Sequence, residues 1–331
     1  MSDEGTWFRI DNASVVSTVR RATDRLAESL DLSEKRTADL AIVAAELAGN
    51  LLKHTNEGTL LLRPVRSGDV AGVELLAVDS GPGMADLARF MRDGHSTSGT
   101  LGIGLGAIVR QAGWTDVHSV PGKGTAFAVQ VWPAETPEPA WAAAVTRPIT
   151  GEEISGDAYE IRVADGRHQV MVADGLGHGP LAAAASHAAV NSFRNAPAVP
   201  PAALLEIVHR EISHTRGAAL AIAELDAAAG VVRYSGLGNI AGTIIEGISR
   251  RGLVSLPGIA GHQRRQIREY DYPISRGAAL VMHSDGVVDR WQPGDYPGLS
   301  SSSPVLIAAT VMRDAGVRRD DACVLAARLP S

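Results

Sequence analysis

A chain of 331 residues has room for two domains with separate cores. Its 31 Lys and Arg against 37 Asp and Glu give a net charge of −6, and no basic tract is present: Arg264-Arg265 and Arg318-Arg319 are only pairs, which excludes a nucleic-acid surface. A single cysteine, Cys323, excludes a disulfide framework and a multi-cysteine zinc site, no apolar run approaches the ~18–20 residues that cross a bilayer, and the acidic start Met1-Ser-Asp-Glu lacks the features of a signal peptide, so a cytoplasmic protein with no membrane contact is expected.

The first predicted element of note is an apolar-periodic helix from about Ala38 that carries Glu46-Leu-Ala-Gly-Asn-Leu-Leu-Lys-His54. Glu46 and Asn50 fall one turn apart on one face. Asn50 can offer an oxygen to Mg2+, Glu46 can polarise an attacking group, and Lys53 or His54 one turn later can reach phosphate. Taken alone, the same pattern is that of a solvated face on an ordinary amphipathic helix. The strand Val73–Val78 then runs into Asp79-Ser-Gly-Pro-Gly-Met84. A carboxylate at Asp79 can accept from an adenine amino group, and Gly81 and Gly83 let backbone approach without a Cβ in the way. Gly102, Gly104 and Gly106 follow in a glycine-rich lid that leads into a predicted helix Leu105–Gln111, whose first N–H groups can face phosphate oxygens. A hairpin Trp114–Trp132 turns at Pro121-Gly-Lys-Gly-Thr125.

Glu46–His54, Asp79–Met84 and the lid Asp93–Leu105 together resemble the RsbT-type switch kinases within the GHKL ATPases, over roughly residues 8–133. The resemblance implies a Bergerat-type α/β sandwich, helices on one face of a mixed sheet, that binds ATP and Mg2+ with Asn50, Lys53, Asp79, Gly81, Gly83, Gly102, Gly104, Gly106 and Thr125. It also implies a serine/threonine kinase acting on STAS-domain partners, with Glu46 catalytic. No phosphoacceptor-histidine helix precedes the motifs. Gly49 departs from the family, where a larger residue is usual, and a glycine there costs about 1 kcal/mol of helix propensity.

After Pro133 the pattern breaks into a Pro/Ala/Glu stretch. The expected division is residues 1–135, a linker 136–146, and a second domain 147–331, with the boundary near residue 140. Beyond it, aspartates recur at the ends of apolar segments: Gly156-Asp157, Asp174-Gly-Leu-Gly-His-Gly179, His283-Ser-Asp-Gly286 and Asp320-Asp321, the last opening a closing strand Ala322–Leu329. Carboxylates gathered from separate strand ends suit two hard divalent cations, and such a pair hydrolyses phosphomonoesters. A lone Asp-Gly is usually a turn, as expected for Asp165-Gly166 between two strand-like runs. The segment Leu181–Val190 reads as a buried alanine-rich helix, and the serine-rich Leu299–Val305 as a surface loop.

Four carboxylate motifs in this order resemble the SpoIIE-type phosphatases of the PPM superfamily, from about Arg147 to Leu329. Asp174-Gly-Leu-Gly-His-Gly179 and Gly236-Leu-Gly-Asn-Ile240 are similar to the RsbX type, which acts on stressosome proteins. The resemblance implies an α-β-β-α sandwich and two Mn2+ or Mg2+ ions. In it Asp174 bridges both, Gly175 lends its carbonyl, Asp285 and Asp320 complete one, and Asp157 supports the other through water. His178 is open between proton shuttle and helix cap, Arg147 between phosphate contact and solvated side chain, and Cys323 is expected to be a small buried hydrophobe.

The fold class is therefore α+β in two domains. The expected function is a bifunctional stress-signalling switch in which a kinase phosphorylates a STAS-type or stressosome-like partner and a phosphatase reverses it, with a downstream phosphatase or a sigma-factor regulator as a further partner. The rival expectation is an ATP-binding module that sequesters a sigma factor or an anti-sigma antagonist without phosphotransfer and regulates the phosphatase domain, which alone is catalytic.

Overall fold

The computed structural model describes residues 5–55, 58–85, 104–264 and 266–330. The chain divides into two compact units, Met1–Pro139 and Ala140–Ser331.

In the first unit the order is β1 (Thr6–Ile10), α1 (Ala13–Ser29), α2 (Glu34–His54), β2 (Gly58–Ser67), β3 (Val70–Asp79), α3 (Gly104–Gln111), β4 (Trp114–Val120) and β5 (Gly124–Val131). Asn12 starts α1 by accepting the N–H groups of Ser14 and Val15, and Ser33 starts α2 by accepting that of Arg36. Lys53 and His54 close α2, where positive charge complements the exposed carbonyls. Leu40, Val43, Ala44, Leu47, Ala48 and Leu51 recur at helical spacing and pack on Leu60, Leu62, Val73, Leu75, Phe127 and Val129 of the sheet. Arg36 ties three elements together: Nε donates to the Trp132 carbonyl at 2.7 Å, and Nη1 to Asp39 at 2.9 Å and to the Gln111 carbonyl at 3.2 Å.

The strand order is β1-β2-β3-β5-β4, and every pairing is antiparallel. The mixed sheet expected from sequence is thus corrected for the described strands. The β2–β3 and β4–β5 connections are hairpins, which pair their strands in opposite directions.

The second unit is an α-β-β-α sandwich. One sheet runs β13 (Ser255–Leu256), β10 (Val231–Leu237), β9 (Ala218–Asp226), β8 (Arg167–Gly175), β7 (Asp157–Ala164), with β14 (Tyr270–Pro273) also on β10. The other runs β12 (Ser249–Gly252), β11 (Ala241–Glu246), β15 (Ala279–His283), β16 (Ala322–Ala327), β6 (Ala142–Arg147). Between them lie Val170, Val172, Ala221, Tyr234, Ile244, Leu280, Met282 and Leu325. Outside the first sheet, α4 (Pro180–Asn195) and α5 (Pro201–Glu211) bury Ala189, Phe193, Leu204, Leu205 and Val208 against Met171, Leu220 and Ile222. The helix α6 (Pro304–Ala315) packs on β6 and β16. Asp165 and Gly166 do form the β7–β8 turn, both at positive φ (49° and 76°).

Two further expectations differ from the structure. Residues 142–146, placed in the linker, belong to β6, whose residues pair one for one with β16 from Ala142↔Ala327 to Arg147↔Ala322. Alanine is a poor strand former, so the composition gave no strand signal; burial of Ala142 and Ala144 in the sandwich core supplies it. Leu299–Val305 is not a surface loop. Leu299–Ser301 is a 3-10 turn, Pro304 opens α6, and Leu299, Ser300, Pro304 and Val305 are buried. Among the described residues no helix is long and apolar enough to cross a membrane.

Candidate functional site

In the first unit Asp79 is the last residue of β3, paired with Gly58 on one side and Thr125 on the other. Its Oδ1 accepts the Gly81 N–H at 2.7 Å, an Asx turn that fixes the carboxylate. The turn then docks on the β4–β5 hairpin: Gly122 N–H donates to the Pro82 carbonyl at 2.8 Å and Met84 N–H to Ser119 Oγ at 2.8 Å. The Ser119 hydroxyl in turn lies 2.9 Å from that of Thr125. Gly83 adopts φ +66°, and a Cβ there would sit 2.2 Å from the Val120 carbonyl oxygen. Within the described residues, then, this glycine is required by the hairpin's close approach.

Glu46 and Asn50 lie half-buried on α2, and Lys53 and His54 are exposed in its last turn. The end of that helix meets the Asp79 turn, since a Cβ on Gly81 would lie 3.2 Å from the Thr55 methyl and 3.3 Å from the His54 carbonyl oxygen. Gly104 begins α3 and Gly106 lies in its first turn. Gly102 and the lid up to residue 103 lie outside the described residues.

In the second unit both sheets send carboxylates to one end of the sandwich. Asp157 opens β7 directly across from Asp174 near the end of β8, so two like charges face each other on adjacent strands. Asp285 follows β15 and Asp320 precedes β16. Asp157 is buried, and its carboxyl is pushed well above the usual range, first by burial and then by the charge of Asp174. Ser284 supports it: its hydroxyl accepts the Cys323 N–H at 2.9 Å, leaving its proton for Asp157. Among the described residues Asp157 Oδ2 has no hydrogen-bond partner.

Burial, with the charges of Asp285, Asp320 and Asp321, raises Asp174 to about 7, and it shares a hydrogen bond with Asp285. Asp285 is raised too, by desolvation and by Asp320. Two carboxylates can share a hydrogen bond only around a proton, and a divalent cation neutralises the same repulsion. Among the described residues no three His, Cys, Asp or Glu side chains form a ready-made cage. The fit to hard cations rests on an anionic, oxygen-only donor set with one buried oxygen, Asp157 Oδ2, still without a partner.

The glycines after the aspartates have a packing reason: a Cβ on Gly175 would lie 2.1 Å from the Ala182 carbonyl oxygen, and one on Gly286 1.8 Å from that of Asp321. Asp321 itself is a clamp, since Oδ1 accepts the Ile149 N–H at 2.8 Å and Oδ2 the Gly156 N–H at 2.9 Å. Both members of that pair raise Asp174, and Asp320 is the one whose charge also acts on Asp285.

Sequence reasoning assigned no role to Asn239. Its Nδ2 donates to Asp285 Oδ2 at 2.6 Å, from a loop held by Tyr234 and Ser255, whose hydroxyls both donate to the Ile240 carbonyl. The signal was present in Gly236-Leu-Gly-Asn-Ile240. His178 does not cap α4, whose N-cap is Gly179 without a side-chain bond; it is exposed, 3.7 Å from Glu152. Arg147 donates to the Val317 carbonyl at 2.9 Å, and burial with nearby Arg318 lowers its guanidinium. Cys323 is buried on β16, where desolvation raises its thiol.

Residues 164–330 match the family model for stage II sporulation protein E (SpoIIE). The chain belongs to the SpoIIE family. The SpoIIE match covers most of the second unit, which has the PPM-type fold, and the N-terminal region is a homologue of RsbT. Serine/threonine-protein kinase RsbT of Bacillus subtilis (strain 168) is 30% identical over 117 residues, which are 35% of this chain and 88% of RsbT. A solved structure from the bacterial stressosome, "a modular system that has been adapted to control secondary messenger signaling", shares 28% identity at a TM-score of 0.52, covering 56% of this chain and 98% of that one. The crystal structure of RsbX in complex with magnesium shares the fold at 19% identity and a TM-score of 0.50, over 59% of this chain and 98% of RsbX. This SpoIIE-family chain thus joins an RsbT-like unit to a PPM-type unit.

Proposed function

We propose that this protein is a two-way switch in the cytoplasm: its N-terminal unit transfers the γ-phosphate of ATP to a serine or threonine of a STAS-domain, stressosome-like partner, and its SpoIIE unit removes that phosphate. The observation that carries the reading is the gathering of Asp157, Asp174, Asp285 and Asp320 from two sheets, in a chain whose other unit is RsbT-like.

In the first unit the Asp79 carboxylate, oriented by Gly81, accepts from the adenine amino group. Asn50 holds Mg2+, Lys53 meets phosphate, and Glu46 polarises the partner's hydroxyl. Thr125, beside Asp79 on β5, lines the same end of the sheet, and the N–H groups at Gly104 and Gly106 serve phosphate oxygens. In the second unit Asp174, the Gly175 carbonyl, Asp285, Asp320 and Asp157 would hold two Mn2+ or Mg2+ ions. When bound, such ions supply a water of lowered pKa and neutralise phosphoryl charge. Ser284 keeps Asp157 oriented, and Asn239 keeps Asp285 in place. Joining both units in one chain brings them to a common partner in equal number.

The test is label transfer from γ-labelled ATP to STAS-domain proteins encoded near this chain. The parent should turn over ATP with little steady label on the partner, whereas Asp174→Asn should accumulate phosphoprotein and Glu46→Ala in that background should abolish the accumulation. If Asp174→Asn binds ATP and partner yet never labels it, the N-terminal unit is a binding module and the kinase half of the proposal is wrong.

A further inference from the structure

We infer that Ile154, Leu176 and Leu181 form a hydrophobic rim at the mouth of the phosphatase site that receives an apolar side chain flanking the phosphorylated residue of a protein substrate. The inference rests on the phosphatase reading above and adds what the substrate must carry beside its phosphate.

These three side chains face solvent at 42%, 38% and 58% exposure, in a unit whose other large apolar residues are mostly buried. Singly exposed apolar residues are ordinary. These three are not scattered, because their segments pack closely on one another beside the Asp321 carboxylate. A Cβ on Gly156 would lie 2.9 Å from the Ala182 Cβ and 3.6 Å from the Gly177 carbonyl oxygen, and the Gly175 N–H donates to the Gly156 carbonyl at 3.2 Å. Ile154 stands two residues before Gly156, Leu176 directly follows Gly175, and Leu181 directly precedes Ala182.

The same segments carry the carboxylates, Asp157 after Gly156 and Asp174 before Gly175. A protein that brings a phosphoserine to those carboxylates therefore lays its neighbouring residues across the rim, and this continuity with the reacting centre names the occupant. The helix itself does not need Leu181. α4 buries Ala182, Ala183, Ala185 and Ala189, and its leucine is turned to water at a position where alanine would favour the helix at least as well. The Leu176 N–H donates to the Gly217 carbonyl at 3.0 Å, which holds this part of the rim to the loop before β9. Arg216 from that loop, and Glu152 facing His178, give the rim a polar border, the usual surround of an apolar contact.

The experiment uses the full chain with Mn2+ and three probes: p-nitrophenyl phosphate, a phosphoserine peptide with leucine on both sides of the phosphoresidue, and the same peptide with serine there. The leucine peptide should be hydrolysed with a kcat/KM about five- to tenfold above the serine peptide, the return expected from partly burying one apolar side chain. In the double variant Ile154→Ser, Leu181→Ser the ratio should fall to within about twofold of unity, through KM, with the melting temperature unchanged. A parent ratio already near unity, or a ratio that survives in the double variant, overturns the rim. If none of the three probes is hydrolysed, the phosphatase reading falls and the rim falls with it.

Discussion

Asp174→Asn should make the ion-free protein more stable, while abolishing phosphatase activity, and the gain should depend on pH in a defined way. In the folded chain burial and three neighbouring carboxylates raise Asp174 from 3.8 to about 7. Between these values the folded state keeps a proton that the unfolded chain has released, so stability falls as pH rises, and the penalty is complete above about pH 7. A shift of about three units corresponds to on the order of 4 kcal/mol. For a unit of this size that is about 8–16 °C in melting temperature. Asparagine removes the charge and can still donate from Nδ2 to Asp285, so the shared hydrogen bond survives. The assay is thermal unfolding of parent and variant in EDTA from pH 4 to 8. The two curves should meet near pH 4 and separate progressively to pH 7, and adding Mn2+ should raise the parent far more than the variant. Equal melting temperatures across the range, or a variant less stable at pH 7, would refute the account of the site as a repelling carboxylate cluster.

Two further outcomes follow from contacts in each unit. Asn239→Ala removes the 2.6 Å bond to Asp285 and should weaken Mn2+ binding roughly tenfold by calorimetry, as loss of a bond that orients a ligand usually does; an unchanged affinity would show that Asp285 is placed without it. Gly49→Ala should stabilise the first unit by about 1 kcal/mol, because among the described residues a Cβ there meets nothing within 4 Å and helix propensity alone is gained. A urea midpoint for that unit that does not rise would mean that α2 needs glycine for another reason.

The carboxylates were legible because each sits where an apolar run ends, and strand ends are where a sandwich collects side chains from both sheets. The Asp79 turn was legible for a similar reason: two glycines after a strand mark a place where backbone must pass close to something. What the sequence hid was which neighbour required the glycine. For Gly83 it is the Val120 carbonyl, and for Gly175 that of Ala182, both distant in sequence. The division of labour between Asp320 and Asp321 was equally hidden, since it is decided by two N–H groups, of Ile149 and Gly156, that only the fold brings to Asp321. Strand β6 went unseen because Ala142-Ala-Ala-Val-Thr has the composition of a linker, and its pairing with β16 is what makes it a strand.

That clamp bears on how the second unit folds. Ile149 and Asp321 lie 172 positions apart, and Gly156 and Asp321 165. Contacts of such separation form late, because most of the intervening chain must already be organised before closing the loop is repaid. Asp320 travels with Asp321, so the anionic cluster is completed by the same late event. Partly folded chains would lack high-affinity divalent-ion binding, and ion uptake during refolding would therefore lag behind the growth of helical signal, marking the molecules in which the last strand has found its place between β15 and β6.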